Sequence, residues 1–295
     1  MWAIGRFDRA ADFMNEARDI GFDRIELNHQ VPEGMLQEYY ALKAAGAVGI
    51  SSVHAPCPKW QSATSAPPPE LSSIDEGERV AAVGIIKRAI DVAVDLQAEA
   101  VVVHCGRVEI DFELERTLRR LYRDGQMNTL DYQLAKEKLV TVRASKCEPH
   151  LHSVIASLKE IVEYAAVRGV KLGLENRYNY YEIPLPDEMR VILDMLNRFT
   201  VFYWHDFGHA HVLASLGLVG LENWLPKFHS RTLGLHLHDA VGLKDHRVAG
   251  AGGIDFAAVK PLVPSTALRV CEFDKVASPE EVQTGYNYLK QLGIF

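Results

Sequence analysis

Eight short apolar runs recur along the chain and constrain its fold more than any other feature of the sequence. They are rich in β-branched and aliphatic residues and lie at residues 1–5, 24–29, 49–56, 100–106, 171–177, 201–208, 233–240 and 268–274. Longer segments with helical periodicity separate most of them, such as DRAADFMNEARDIG and HSVIASLKEIVEYAAVRG. Strands that alternate with helices predict right-handed βαβ units and a parallel sheet.

Eight such units are the number that closes an α/β barrel of the (β/α)8 type, the TIM barrel. A doubly wound open sheet is the alternative, because periodicity does not distinguish a closed sheet from an open one. The connection between the fourth and fifth runs is unusually long, and we interpret residues of about 107–150 as a helical insertion after strand 4. No segment resembles a linker, so we expect residues 1–295 to form a single TIM-barrel domain.

Residues that can bind a metal ion lie at the end of nearly every apolar run. They are Glu26, His54, His104, Glu175, Asp206, His236, His238 and Glu272. Barrel enzymes build their sites at the carboxyl ends of the strands, so these side chains are expected to converge. A mixture of imidazole and carboxylate favours zinc, manganese, iron or cobalt over calcium. The sequence therefore predicts a divalent cation site, and the clustering itself favours the closed barrel.

Charge and cysteine content narrow the class of protein. The net charge of −7 gives no overall basic surface, which argues against nucleic acid as the partner. The four cysteines form no CxxC pair and are interpreted as reduced thiols. The first residues show neither a signal peptide nor a membrane span. We expect a soluble cytoplasmic protein without a membrane partner, and a homo-oligomer is compatible with the sequence.

Strand alternation separates neighbouring polar residues within the sixth run and its helix. His205 precedes Asp206 and should point to the opposite face, against a helix. His211 lies one turn into the following helix and is expected to be structural or exposed. Cys105 and Cys271 are predicted, by the same alternation, to lie in the core between the barrel and its helices.

Several motifs, in order along nearly the whole chain, resemble those of the xylose isomerase-like TIM barrels. They are SVHAP, VVVHCG, LGLENR, HDFGHA, LHLHDA, DHRVAGAGGIDF and CEFD. This superfamily contains sugar isomerases and epimerases together with repair enzymes of the endonuclease IV type. Each motif alone is weak, and their order and their position at strand ends carry the resemblance.

In the isomerase and epimerase branch, the resemblance implies one divalent metal, Mn, Co, Mg or Zn. Its implied ligands are Glu175, Asp206, His236 and Glu272. Glu175 and Glu272 would also be the catalytic acid and base on opposite sides of the substrate carbon, and His209 would contact a substrate oxygen. A metal that polarises the carbonyl of a sugar makes the neighbouring C–H acidic, and an enediolate forms when a carboxylate removes that proton.

In the endonuclease branch, the resemblance implies up to three zinc ions and abasic DNA as the substrate. His54 and His104 would join Glu175 at one zinc, while His209 and His246 would bind another. That branch has an aspartate two residues before the last histidine. The chain has Lys244 at this position, although Asp245 stands next to His246.

The residues that follow the fifth run favour a small polyol substrate. Arg177, Tyr178 and Glu182 come just after Glu175 and suit stacking and hydrogen bonding to a sugar. Further contacts to the substrate are expected from Trp60, Arg247 and His238. The GAGGID segment (250–255) is interpreted as a flexible loop whose backbone N–H groups could contact a substrate phosphate. RTLRRLYR in the insertion is read as a solvated helix face, with a basic patch for nucleic acid as the alternative.

The sequence therefore predicts a divalent-metal-dependent isomerase or epimerase acting on a sugar or sugar phosphate. The alternative is a zinc phosphodiesterase acting on abasic DNA. A keto-sugar lyase or dehydratase would use the same metal and bases. A non-catalytic barrel would lack part of the ligand set, and the set here departs from the pattern only at Lys244.

Overall fold

A computed structural model describes residues 2–62 and 64–295 of the chain. Its strands are β1 (Arg24–Leu27), β2 (Gly49–His54), β3 (Ala100–Val103), β4 (Lys171–Glu175), β5 (Val201–Asp206), β6 (Thr232–Leu237), β7 (Asp239–Val241), β8 (Lys244–Arg247) and β9 (Leu268–Cys271). Its α-helices are α1 (Ala10–Ile20), α2 (Glu33–Ala44), α3 (Glu76–Asp95), α4 (Glu113–Arg123), α5 (Leu130–Arg168), α6 (Pro186–Met195), α7 (Phe207–Ser215), α8 (Leu225–Phe228), α9 (Phe256–Val259) and α10 (Pro279–Gln291).

The main sheet is parallel and follows the chain in space. Within the described ranges it contains seven strands in the order β1-β2-β3-β4-β5-β6-β9, and every neighbouring pair is parallel. β7 and β8 form a separate antiparallel pair after β6. Helices connect successive strands of the sheet, as the spacing of the apolar runs predicts. The architecture is that of an α/β barrel of the TIM type.

The prediction of a strand at residues 1–5 is wrong. Residues Trp2–Arg6 form a 3-10 helix, so the described sheet has seven strands and not eight. This turn contributes Ile4 to the core, and Nη1 of Arg6 donates a hydrogen bond to the carbonyl oxygen of Ala277 at 2.8 Å. An apolar run of this length carries no periodicity that separates a strand from a helical turn.

The long connection between β3 and β4 is helical. α4 occupies its first part, and α5 continues past Pro149 to Arg168 as one element of 39 residues. The predicted insertion and the helix that returns to β4 are therefore continuous. Across the described residues, no helix combines the length and the hydrophobicity that a bilayer span requires.

The floor of the barrel is built around one tryptophan. Trp204 on β5 is fully buried and packs with Ala100, Val102 and Val270 from β3 and β9. Its ring lies against Gly234 on β6, where an added Cβ atom would lie 2.2 Å from Cζ3 of the indole. The indole also meets the ring of His236 edge-on, at 5.2 Å between centroids. Gly234 therefore leaves the space that the Trp204 indole needs to pack against His236.

We expect Gly234→Ala to lower the free energy of unfolding by about 2 kcal/mol, because the new methyl group overpacks a rigid ring between strands. Urea denaturation of the purified variant measures this loss. Gly34→Ala is the matched control, since a Cβ atom at Gly34 in α2 meets nothing within 4 Å. Equal midpoints for the two variants would contradict the packing described here.

Candidate metal centre

Four buried side chains meet at the carboxyl ends of the strands. Glu175 and Asp206 end β4 and β5, His236 lies near the end of β6, and Glu272 follows β9 directly. None of the four is more than 3% exposed. One ligand atom from each lies within 4.8 Å of all the others. The four residues that the resemblance implies as ligands are thus brought together by strands that are distant in sequence.

His236 is the centre of this group. Its Nδ1 atom lies 2.6 Å from Oε1 of Glu175, 2.8 Å from Oε2 of Glu272 and 3.7 Å from Oδ2 of Asp206. Its Nε2 atom lies 3.0 Å from Oε1 of Glu26, which accepts the Nε2 proton. A carboxylate on the far side of a histidine fixes which ring nitrogen faces the ligand. Glu26 therefore turns Nδ1 toward the three other carboxylates.

The charges at this point match a divalent cation. Burial opposes ionisation of Glu175 and Glu272, yet the adjacent His236 holds the pKa of both carboxyls well below the usual range. The surrounding carboxylates in turn raise the pKa of His236 well above its ordinary value, despite its burial. Buried carboxylates at this density need a positive partner. Three carboxylates and one imidazole form a donor set that suits Mn²⁺, Co²⁺ or Zn²⁺.

Asp206 is held by neighbours on both oxygens. Oδ1 accepts from the backbone N–H of His209 at 2.7 Å and caps α7, while Oδ2 lies 2.8 Å from Nε2 of His238. Burial would raise the pKa of Asp206, but His209 and His238 outweigh it and lower the pKa to about 2. The carboxylate is charged and fixed in orientation.

His238 supports the centre without a free ring nitrogen. Its Nδ1 atom accepts from the backbone N–H of His246 at 2.9 Å, so the proton is on Nε2 and is donated to Asp206. His246 has a φ of 54°, a left-handed conformation that a side chain other than glycine rarely adopts. The structure thus places His238 behind Asp206, where it orients the carboxylate.

A second cluster lies beside the centre and contains Asp206, His209, His238 and His246. Nδ1 of His209 donates to the carbonyl oxygen of Asn176 at 2.9 Å, which leaves Nε2 facing Asp245 at 3.6 Å. Nδ1 of His246 lies 3.1 Å from Oδ1 of Asp245. Asp245 therefore stands near the position where the endonuclease pattern expects a carboxylate two residues before the last histidine.

A third cluster contains His54, His104 and Glu175. Nε2 of His104 and Nε2 of His54 lie 2.6 Å and 3.5 Å from Oε2 of Glu175. Arg177 enters the same cluster, with Nη1 at 2.9 Å from Oε2 of Glu175 and in contact with His104. Desolvation and the guanidinium of Arg177 lower the pKa of His104 to about 3, so this imidazole is neutral.

The predicted substrate residues fall into two groups. Arg177, Tyr178 and Glu182 border the centre, and the Tyr178 ring lies 5.9 Å from that of His209. Trp60 lines a wide groove together with Phe112 and Arg107, and the groove borders none of the three clusters in the described part of the chain. Arg247 lies on β8 opposite Asp239.

The basic segment in α4 is partly internal. Arg119 is buried, pairs with Glu115, donates to the carbonyl oxygen of Tyr178 at 2.9 Å and lies over the Tyr178 ring. Arg116 is exposed and pairs with Glu113. Arg119 therefore fastens the insertion to the loop that carries the substrate residues.

The glycine-rich segment 250–253 has its backbone N–H groups already engaged. The carboxylate of Asp239 accepts from Gly250, Gly252 and Ile254 at 2.9–3.0 Å, and the N–H of Gly253 donates to the carbonyl oxygen of Ala240. This carboxylate fills the place that a substrate phosphate would need. The expectation of a phosphate contact here is wrong, because a loop sequence does not reveal which side chain binds its amides.

His205 and His211 lie apart from the clusters. The ring of His205 packs on Phe207 at 4.5 Å and its Nδ1 atom lies 2.6 Å from the hydroxyl of Tyr203. Burial lowers the pKa of His205 to about 3. His205 and His211 both line a cavity on the helix side of the sheet, away from the clusters. Cys105 and Cys271 are buried in the apolar core, as alternation predicts.

Two residues support the ligands in ways that the sequence did not predict. Glu26 orients His236, although its position at the end of an apolar run was visible in the sequence. Asn176 has no such signal, since it follows Glu175 and alternation directs it away from the centre. Its Oδ1 atom accepts from Asp206 N and from the Tyr203 hydroxyl at 2.7 Å and 2.9 Å, and its Nδ2 donates to Asp206 O at 2.9 Å. Asn176 thereby ties β4 to β5 beneath the ligands.

We expect Asn176→Ala to lower the free energy of unfolding by about 3 kcal/mol, because it removes three hydrogen bonds to buried polar groups of Asp206 and Tyr203. Chemical denaturation measures the loss. Asn15→Ala, on the exposed side of α1, is the control and is expected to change stability little. An unchanged Asn176 variant would show that water or a rearranged neighbour replaces these bonds.

The fold and the centre together define an α/β barrel whose strand ends carry a buried carboxylate and histidine site. The chain belongs to the xylose isomerase-like TIM barrel family, whose model matches residues 14–292. No curated protein sequence matches it significantly.

Solved structures share the fold at low sequence identity. A D-tagatose 3-epimerase-like protein is 20% identical with a TM-score of 0.69, covering 97% of this chain and 94% of its own. The 3-keto-D-glucoside 4-epimerase YcjR from E. coli is 14% identical with a TM-score of 0.68, covering 97% and 95%. A Thermus thermophilus protein, TTHB071, in a structure soaked with ZnCl2, is 21% identical with a TM-score of 0.62, covering 96% and 93%.

Proposed function

We propose that the protein is a divalent-metal-dependent sugar isomerase or epimerase. The observation that carries this proposal is the pair of buried carboxylates, Glu175 and Glu272, that flank Nδ1 of His236 at 2.6 Å and 2.8 Å. β4 and β9, which bring them, are separated in the sheet by β5 and β6. The two carboxylates therefore approach the centre from different strands of the barrel, as removal and return of one proton on two faces of a carbon requires.

The metal would be held by Glu175, Asp206, His236 and Glu272. When bound, it would act as a Lewis acid on the carbonyl and hydroxyl oxygens of the sugar. Glu175 and Glu272 are both held in the charged form, so either carboxylate can accept a proton from the carbon next to the carbonyl. The other, once protonated, returns a proton to the opposite face or to the adjacent carbon of the enediolate.

Polar side chains around the four-residue centre could form hydrogen bonds with sugar hydroxyls. Nδ1 of His209 is bound to the backbone, and its Nε2 atom, 3.6 Å from Oδ2 of Asp245, is the nitrogen that could meet a hydroxyl. Arg177 and Glu182 form an ion pair at 3.0 Å beside Glu175, and Tyr178 adds an aromatic edge. Since Asp239 already binds the amides of the glycine-rich loop, we propose a sugar without a phosphate at that end. Two of the structural neighbours, the D-tagatose 3-epimerase-like protein and the 3-keto-D-glucoside 4-epimerase, are named for sugar epimerisation, which supports this proposal.

The function is tested by proton exchange. Protein dialysed against EDTA is incubated with a panel of free ketoses in D2O, with and without added Mn²⁺ or Co²⁺. We expect deuterium to enter the carbon next to the carbonyl, and an epimer or isomer to appear, only when metal is restored. No exchange with any ketose or aldose in the metal-loaded protein would contradict the proposal.

Replacing one carboxylate by its amide tests the acid and base roles. Glu272→Gln is expected to lower the turnover of the identified substrate by about 10²–10⁴-fold, because the amide cannot exchange a proton. Metal content is measured in parallel, so that loss of a ligand is separated from loss of a base. Glu33→Gln, at an exposed position of α2, is the control. Unchanged formation of the epimer or isomer by the Glu272 variant would assign the chemistry to another group, whereas deuterium exchange without product would indicate that Glu175 alone still removes the proton.

A zinc phosphodiesterase is the second candidate, because the two clusters beside the centre each bring histidine and carboxylate ligand atoms within 4.8 Å of one another. It requires that these clusters hold zinc and that a basic surface receives the DNA backbone. Cleavage of a duplex containing one abasic site by the zinc-loaded protein, without exchange on any sugar, would establish this candidate. Formation of an unsaturated or dehydrated product from a keto-sugar would instead indicate a lyase or dehydratase.

A further inference from the structure

We infer that Arg177 is the protein's own cation in the cluster of His54, His104 and Glu175, and that it excludes a second metal ion from that position. The inference rests on the metal dependence proposed above, but not on the sugar or the reaction. It assigns His54 and His104 to the support of Glu175 and not to metal binding.

The cluster has the spacing of a metal site but is already filled. Its three ligand atoms lie within 4.8 Å of one another. Nη1 of Arg177 lies 2.9 Å from Oε2 of Glu175 and contacts Nε2 of His104, so it stands beside two of the three. A metal ion bound to the same two atoms would have to share their lone pairs with this N–H group.

The guanidinium is fixed in this place by a second carboxylate. Nε and Nη2 of Arg177 donate to Oε1 of Glu182 at 3.2 Å and 3.0 Å. The other oxygen of Glu182 accepts from N and Nδ2 of Asn179 at 2.8 Å and 2.9 Å. The Arg177 side chain is only 13% exposed. Nη1 is bound to Glu175, and Nε and Nη2 are bound to Glu182. Moving the side chain out of the cluster would therefore break both sets of hydrogen bonds.

The chemistry of the two side chains leaves Nε2 of His104 without a lone pair for a metal. Arginine carries only N–H donors and keeps its proton at every pH that proteins tolerate. Nε2 of His104 either accepts from Arg177 or carries a proton that it donates to Oε2 of Glu175 at 2.6 Å. In both cases its lone pair is not available. A divalent ion would also be repelled by the adjacent, permanently charged guanidinium.

The two oxygens of Glu175 contact different side chains. Oε1 faces Nδ1 of His236, on the side of the four-residue centre, whereas Oε2 faces Arg177 and His104. A carboxylate that bridges two metal ions would need both oxygens for metals. Arg177 is therefore a positioning residue, which fixes the Glu175 carboxylate so that only Oε1 faces the four-residue centre, where it could hold a metal ion.

The test is a double-mutant cycle read by metal count. The full-length wild type, His104→Ala, Arg177→Met and the double variant are saturated with Zn²⁺, passed over a desalting column and analysed for zinc per chain. We expect equal counts for the wild type and His104→Ala. Arg177→Met should gain one ion per chain, and the double variant should lose that ion again. Arg177→Lys, which keeps a cation, is expected to keep the wild-type count.

Two results would overturn the inference. One is a wild-type protein that loses an ion on His104→Ala, since His104 would then be a ligand. The other is a folded Arg177→Met variant that gains no ion. If Arg177→Met does not fold, Arg177→Gln takes its place, and the comparison of wild type with His104→Ala still decides. Failure of the proposed function is read separately, from the absence of deuterium exchange on any sugar, while the difference in zinc count between Arg177→Met and wild type tests this inference.

Discussion

The concentration of negative charge at the mouth of the barrel is the constraint on which the surrounding structure depends. Glu26, Glu175, Asp206 and Glu272 are all buried, and all lie around His236 or its immediate partners. Charges removed from water in this way are strongly unfavourable unless hydrogen bonds and opposite charges compensate them. The residues around the centre provide that compensation, and a divalent ion would complete it.

Two of these carboxylates, Glu26 and Asp206, are held by neighbouring polar groups. Ser52 donates to Glu26 at 2.6 Å, and Glu26 in turn orients His236. Asp206 is fixed by His238 and by the first turn of α7, and Asn176 holds its backbone. Because these supports come from strands and helix ends and not from free loops, the ligands are ordered before any ion or substrate binds.

The number of cations at the centre separates the two functions that the sequence leaves open. A sugar isomerase or epimerase needs one Lewis acid and two carboxylates that exchange a proton. A phosphodiesterase with several zinc ions needs His54, His104, His209 and His246 as ligands. Arg177, which contacts both His104 and Glu175, favours the arrangement with fewer ions. Arg119 belongs to the segment that could form a basic patch, but it is buried and binds Glu115 and Tyr178 inside the protein.

The sequence by itself determined the alternation of strands and helices, the family, and the residues available at the strand ends. It did so because strand periodicity fixes the face of each side chain, and parallel strands end at one edge. Only the tertiary structure decided that residues 2–6 form a 3-10 turn, that Glu26 and Asn176 support the ligands, and that Asp239 binds the glycine-rich loop. It also brought Arg177 to His104. These outcomes depend on side-chain directions and hydrogen bonds between residues far apart in the chain, which no local pattern of amino acids contains.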